Sequence, residues 1–570
     1  MKRRRADDLQ ESVVKCCLKK YLLQTELLPI IQKWVAHVSK ISHRGSLLLN
    51  HYLLWCMEHN HPLPDLEDQT LYQQCFTMGA CTTRKEVGNL LVFYEQVKHL
   101  YPPPLERLTG DTQAILFASR QYLTNFITSL SVTFPKRQKA YIFQWGQEHE
   151  LSPEECFTVL CAVNGWDGIQ KLSWVMTEEV SFFVKQQRDL LGITDKECIT
   201  KTWLKKHPNG VSQYQRQMLS FFQERGKKGY TIAPIMSIRH HFLTIDTKVL
   251  YGLMKEAKLV QCNEAVFRSI AQDHFHSVFD VKRFLSKQNT QKKFGCLVET
   301  DGVSVCFHFH SPKPYEVQSN RVIKGDEERR VIAIDPGRSN LVYGVEVQKD
   351  GTKRTYRLTK RQYYADSHFT QNKRRNERWN KEIKGLLEDL SKTSPRTTQV
   401  SVMEEHLRVL LRVAPSLWSH YTKHRCALLR MDNYIHKRKT LDKFFASMQS
   451  KGEEKPVIAY GAAKFNPTAK NELSSPTSAL SKRCAEHYPI VFVDEFRTTK
   501  CCHGCGCELK GMKRNGYEVR GLRCCRSSNC LKTRLVSRDL NAALNILACY
   551  RAGTNRPKHL CRKHSSPVER

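Results

Sequence analysis

Two groups of residues in this chain have the types and spacing to do chemistry. The first is a set of cysteines: Cys502-x-x-Cys505, then, after the stretch 506–524, Cys525-x4-Cys530. Paired thiolates at such short spacing form knuckles that close around one tetrahedral ion with bonds near 2.3 Å. Gly506 lets the chain turn tightly behind the first pair. Cys524 competes with Cys525 for the third position, whereas Cys501 and Cys507 read as spectators. The intervening "ELKGMKRNGYEVRGLR" has turn residues in its middle and reads as a hairpin, so a zinc ribbon with one structural Zn2+ is expected. A site closed by four thiolates keeps no open coordination position and needs no catalytic role.

The second group is acidic. Asp335 ends the run "VIAID", Glu495 ends "IVFVDEF", and Asp539 falls in the first turn of the helix "SRDLNAALNIL". One acid at a strand end is ordinarily a cap or turn residue. Three carboxylates converging on the edge of one sheet repel one another unless divalent cations neutralise them, and hard oxygen ligands select Mg2+ or Mn2+. Two such ions about 3.5 to 4 Å apart can activate water and stabilise the leaving 3′ oxygen of an in-line phosphodiester displacement. Asp494 rivals Glu495; successive strand side chains face opposite ways, so only one of the two can face the ions, and Glu495 is the expected one. Glu404 and Glu405 follow the β-like run "VSVM", but Ser401-x-x-Glu404 ahead of "HLRVLL" reads as a capping box opening a helix.

The elements that must position these groups can be read from periodicity. Residues 1 to about 280 read mostly as helices, with runs such as "TELLPIIQKWVAHV" and "GSLLLNHYLLWCMEH" whose apolar positions recur at three and four. From 293 to 310, "KFGCLVETDGVSVCFHFH" alternates around Asp301-Gly302, which supplies the positive φ angles of a tight hairpin. After the polar "KGDEERR" (324–330), "VIAIDPGRSNLVYGVEV" reads as two strands broken by Pro336-Gly337. Helix returns over 371–450, where "RWNKEIKGLLEDL" lays Trp379, Ile383, Leu386, Leu387 and Leu390 on one face. "PVIAYGAAKF" and "YPIVFVDEF" read as two further strands of the buried type, separated by the loop-rich "NPTAKNELSSPTSA". Strands alternating with helices indicate an α/β domain in the C-terminal part.

At 570 residues the chain exceeds one core, and two to four domains are expected. Its 91 Lys and Arg against 56 Asp and Glu leave a formal charge of +35, a field that favours a polyanion, with nucleic acid foremost. "NKRRNER" concentrates Lys373, Arg374, Arg375 and Arg378, either as a solvated face or, preferred in a chain this basic, as a phosphate contact. Arg497, Lys500, Lys510, Lys513 and Arg514 flank the cysteines and read as ordinary exposed charge or as the path of an incoming strand. No run of about 18 apolar residues suggests a membrane span. The N-terminus has no apolar h-region, and Lys2 to Arg5 read as a nuclear-import patch or a solvated basic leader. Seven of the 22 cysteines lie between 501 and 530, which suits metal in a reducing compartment better than a disulfide framework.

In chain order, "AIDPGRSNLVYGV", "VDEFRTTKCCHGCG" and "SRDLNAALNIL", with the cysteine ribbon between the second and third, resemble the RuvC-type nuclease domain of TnpB, the transposon-encoded RNA-guided endonucleases. They are more closely similar to the eukaryotic relatives of TnpB, the Fanzor proteins. The hairpin before Asp335 extends the resemblance over roughly 290 to 550, while residues 1–280 correspond only in being basic, helical and placed where the recognition lobe lies. The resemblance implies an α/β, RNase H-like nuclease domain in three parts, 326–370, 456–498 and 534–550, interrupted by a helical insertion at 371–455 and the zinc ribbon at 499–533. Ahead of it come a helical recognition lobe with wedge-like elements, 1–280, and a wedge-like β-hairpin segment, 281–325; a basic tail, 551–570, follows.

The resemblance also implies a bound guide RNA, a double-stranded DNA target read beside a short motif, Mg2+-dependent cleavage, a nuclear location and a monomer. By position Asp335 is the first acid and Asp539 the third. TnpB proteins place their Glu just after the strand matching "PVIAY", where this chain has Gly461-Ala462-Ala463; Fanzor proteins use a relocated Glu in the motif matched by "VDEFRT", which is Glu495. The missing acid after "PVIAY" leaves open a regulator that binds DNA without cutting, whether RNA-guided or through the ribbon alone. A structure-specific resolvase working without RNA is a third reading.

Overall fold

The computed structural model describes residues 9–80, 88–102, 105–106, 108, 110–166, 177–194, 197–227, 229–285, 292–312, 329–450, 452–463, 465, 473–528, 530, 535–553 and 555–562. The basic leader Lys2 to Arg5, most of "KGDEERR" and the last eight residues of the basic tail lie outside them. The chain forms two compact units: Met1–Pro312 with Trp379–Leu428, and Lys313–Arg378 with Leu429–Arg570. The helical segment 371–455 is therefore divided between the two.

In the first unit the two apolar runs read separately at 25–38 and 45–59 form one helix, α1 (Leu27–Glu58), joined by α2 (Gln69–Gly79) and α3 (Asp111–Glu148). Gly45 does not break α1, because it is a point of close approach: a Cβ there would meet the Cα of Phe76 at 2.9 Å. The loss of helix propensity at glycine, about 1 kcal/mol, is offset by the packing it permits against α2. The capping box expected at Ser401 and Glu404 is absent, since the helix Val400–Tyr421 begins earlier and its first amide donates to Glu58 Oε2 at 2.6 Å. With Glu58 satisfying that orphan donor, Ser401 lies within the first turn and Glu404 pairs with Arg408 at 3.3 Å. "RWNKEIKGLLEDL" is also not one helix, because a 3-10 turn at Lys381–Ile383 interrupts it. Ile383, Leu386, Leu387 and Leu390 pack with Val413 and Leu417, while Trp379 lies against the Arg425 guanidinium.

The region read as helical also supplies two strands. β1 (Leu9–Cys17), β2 (Leu243–Ile245), β3 (Lys293–Thr300) and β4 (Ser304–Pro312) form an antiparallel sheet in the order β1-β4-β3-β2. In the turn between β3 and β4, residues 301–303, only Gly302 takes positive φ, +82°, whereas Asp301, expected to share it, instead accepts from the amides of Val303 and Ser304.

The second unit centres on a five-stranded mixed sheet: β5 (Val331–Asp335), β6 (Asn340–Val347), β7 (Lys353–Thr359), β8 (Val457–Gly461) and β9 (Ile490–Val493), in the order β7-β6-β5-β8-β9. β5, β8 and β9 run parallel, and β6 and β7 are antiparallel to their neighbours. Its helices are α4 (Lys360–Asp366), α5 (Phe369–Asn380), α6 (His424–Ala446), α7 (Thr477–His487) and α8 (Arg538–Ala552). Ile332, Ile334, Ile458 and Tyr460 face one way, against Tyr363 of α4, Leu441 and Phe445 of α6 and Leu480 of α7. Val331, Ala333, Ala459 and Val493 face the other way, against Ala543, Ile546 and Leu547 of α8. This period-two division sends β5 and β8 through the core as fully buried strands. β9 does not match its expected buried character: it is an edge strand in which Val493 is buried, Ile490 and Val491 are partly buried and Phe492 is exposed. A smaller sheet, β10 (Lys510–Arg514), β11 (Tyr517–Cys524) and β12 (Leu535–Ser537), completes the unit. Among the described residues no helix is long and apolar enough to cross a membrane.

Candidate functional site

Strand alternation aims Asp335. Val331 and Ala333 pack beneath α8, so Asp335, two residues further on, faces the N-terminal turn of α8, which carries Asp539. Asp335 is only 6% exposed. Burial foremost, and then the charges of Glu495 and Asp539, raise its pKa well above the ordinary carboxylate value, with the Arg538 cation acting in the opposite sense.

Glu495 lies beyond the end of β9, in a turn whose Thr498 amide donates to the Glu495 carbonyl at 3.1 Å. The strand therefore stops at Val493, two residues before the expected end, and a turn rather than strand alternation separates the two acids. Glu495 Oε1 accepts from the Ala463 amide at 3.0 Å. Its carboxylate lies over Gly461, where an added Cβ would collide with Oε1 and would meet Pro336 Cδ at 2.8 Å. Burial pushes Glu495 up to about 7; the Ala463 amide opposes this and the Asp494 charge adds to it. Asp494 is exposed and pairs with Arg562 at 3.3 Å.

Asp539 is held from a second side. Asn340, the first residue of β6, donates to Asp539 Oδ2 at 2.6 Å, and Arg357 of β7 donates to Asn340 Oδ1 at 2.7 Å. Asn340, Arg357 and Arg538 were not singled out from the sequence. Nothing local in the sequence links Asn340 to a residue 199 positions away.

The four expected thiols meet. Cys502 and Cys530 Sγ are 3.7 Å apart, Cys505 and Cys525 Sγ 3.5 Å apart, and all four fall within 4.8 Å of one another. A tetrahedral site with 2.3 Å bonds separates its sulfurs by about 3.8 Å, so the set can hold one zinc ion with small adjustments. Cys524, at the end of β11, turns its thiol to the Cys525 carbonyl and is not in the set. Cys501 is buried in the core under α8, and Cys507 is exposed. Asn515 and Gly516, both at positive φ, close the β10–β11 hairpin.

Two buried asparagines of α8 join the acids to the thiols. Asn541 donates to the carbonyls of Thr498 at 3.0 Å and Cys501 at 2.8 Å, and its Oδ1 accepts from the His503 amide at 2.9 Å. Asn545 donates to the same two carbonyls at 2.8 and 2.9 Å. The helix that presents Asp539 thus also holds the strap 495–503, which carries Glu495 at one end and Cys502 at the other.

Of the basic residues, Lys373, Arg374, Arg375 and Arg378 are exposed on α5, and Lys500, Lys510, Lys513 and Arg514 are exposed around the ribbon. Arg497 is half-buried at positive φ, 3.8 Å from Glu508. The chain matches no protein-family model, and no curated protein matches it.

Proposed function

We propose that this protein is an RNA-guided DNA endonuclease of the Fanzor and TnpB kind, with an RNase H-like nuclease domain built on the β7-β6-β5-β8-β9 sheet. Asp335, Glu495 and Asp539 are its catalytic carboxylates and would hold two Mg2+ or Mn2+ ions. When bound, these ions supply charge neutralisation and activation of water for phosphodiester hydrolysis. The chain's own part is to position the carboxylates: β5 carries Asp335, the α8 turn and Asn340 hold Asp539, and the Ala463 amide holds Glu495, near enough for both charges to act on Asp335 although the three carboxylates do not all lie within 4.8 Å of one another. The observation that carries this reading is the carboxylate of Glu495 lying over Gly461. The resembled TnpB proteins carry their second acid just after the strand matching β8, and here the Glu495 carboxylate lies against the end of that strand. A regulator that binds without cutting draws its support from the missing acid at 461–463; against it stands the Glu495 carboxylate, which accepts from the Ala463 amide at 3.0 Å and lies over Gly461.

The exposed cations of α5 and the ribbon are suited to backbone phosphates, while sequence would be read by base pairing with the guide. The test is to purify the protein from expressing cells, sequence the RNA that accompanies it and offer a matching duplex with Mg2+. Cleavage by the wild type and none by Asp335→Ala is expected. RNA-free protein would reject the guide, and cutting that survives Asp335→Ala would reject the carboxylate assignment.

A further inference from the structure

A second cluster of ligating side chains lies in the same unit, outside the acid site and the ribbon. His368 sits between α4 and α5, and Asp432 and His436 stand one turn apart on α6. His368 Nδ1 is 3.0 Å from Asp432 Oδ2, and His436 Nδ1 is 3.0 Å from Asp432 Oδ1. One carboxylate thus meets two imidazoles, each at a different oxygen, and one ligand atom from each residue lies within 4.8 Å of the other two. A zinc ion with bonds of 2.0 to 2.1 Å separates its ligand atoms by about 3.3 Å, so two of the three pairs need open by only a few tenths of an ångström. Around the carboxylate is a supporting partner: Asn372, 1% exposed, donates to Asp432 Oδ2 at 2.8 Å and in turn accepts from Arg375 at 3.2 Å. The two imidazoles are stacked, with centroids 3.6 Å apart and planes at 24°. Joint coordination therefore requires one ring to swing about its Cβ–Cγ bond, which the 28% to 35% exposure of these side chains allows.

We propose that His368, Asp432 and His436 form a second zinc site, with water in the fourth position. Two neutral imidazoles and one carboxylate suit a borderline cation such as Zn2+ better than Mg2+, which prefers an all-oxygen shell. The ion ties the turn that starts α5 to the middle of α6. α5 carries Lys373, Arg374 and Arg375, and α6 carries Lys437, Arg438 and Lys439, so the site clamps two strongly basic helices at one point.

The test is zinc content per chain, measured by inductively coupled plasma mass spectrometry on full-length protein equilibrated with micromolar zinc and gel-filtered. Wild type is expected to carry one more zinc than His436→Ala and one more than His368→Asn, whose side chain tolerates the left-handed backbone at position 368. Cys502→Ser is expected to leave this zinc in place. Equal zinc content in the wild type and both histidine variants would overturn the proposal, leaving the cluster an ion-paired network only.

Discussion

Removing the charge of Glu495 should stabilise the protein when Mg2+ is absent, increasingly as pH rises above about 4.5 and fully above about 7. The carboxyl titrates near 4.5 in the unfolded chain and is pushed up to about 7 in the fold. Below pH 4.5 it is protonated in both states and costs nothing. Between 4.5 and 7 the unfolded state releases its proton first, so stability falls as pH rises, and above 7 the loss is complete. A shift of about 2.5 units at 1.36 kcal/mol each amounts to about 3 kcal/mol. For a unit of about 200 residues, where 1 kcal/mol moves Tm by about 2 to 4 °C, this corresponds to about 6 to 12 °C. The perturbation is Glu495→Gln, which keeps the acceptor for the Ala463 amide. The assay is calorimetric unfolding in resin-treated, Mg2+-free buffer with the thiol-bound zinc left in place, at pH 4.5 and pH 8. The variant should melt above the wild type at pH 8 and with it at pH 4.5, and Mg2+ should raise the wild type more than the variant. Equal melting temperatures at pH 8 would refute the claim that Glu495 is held charged against its environment.

Gly461→Ala tests the placement of the same carboxylate: the new methyl should displace Glu495, lower cleavage by about 100-fold and leave the fold intact by circular dichroism. Asn541→Ala removes contacts to Thr498, Cys501 and His503, and should cost about 2 to 4 kcal/mol while speeding zinc release to a chromogenic chelator. Asn340→Ala should raise the Mg2+ concentration needed for half-maximal cleavage with little change in Tm, since Asp539 loses its orienting donor but remains on α8.

What was legible in the sequence is what local periodicity and spacing encode. The runs at β5, β6 and β8, and the helix after Ser537, follow from side-chain alternation and apolar spacing within a few residues. Spacing alone left Cys524 and Cys525 in competition, and the end of β11 turns one toward the other thiols and the other away. What was illegible depends on partners distant in sequence. "LQESVVKCC" is a strand because β4 lies beside it, with Leu9 opposite Pro312. Helix α1 runs through Gly45 because Phe76 needs the space, and the helix at Val400 takes its cap from Glu58. His368, Asp432 and His436 are likewise ordinary residues in the sequence and become a group only when α6 is laid beside the α4–α5 junction.

The most direct measurement is anomalous diffraction from crystals of the wild-type protein soaked in Mn2+. Manganese should be found among the carboxylates of Asp335, Glu495 and Asp539, and should be lost in Asp335→Ala. Absence of manganese from these three carboxylates, or a Glu495 carboxylate turned away from the other two, would contradict the account.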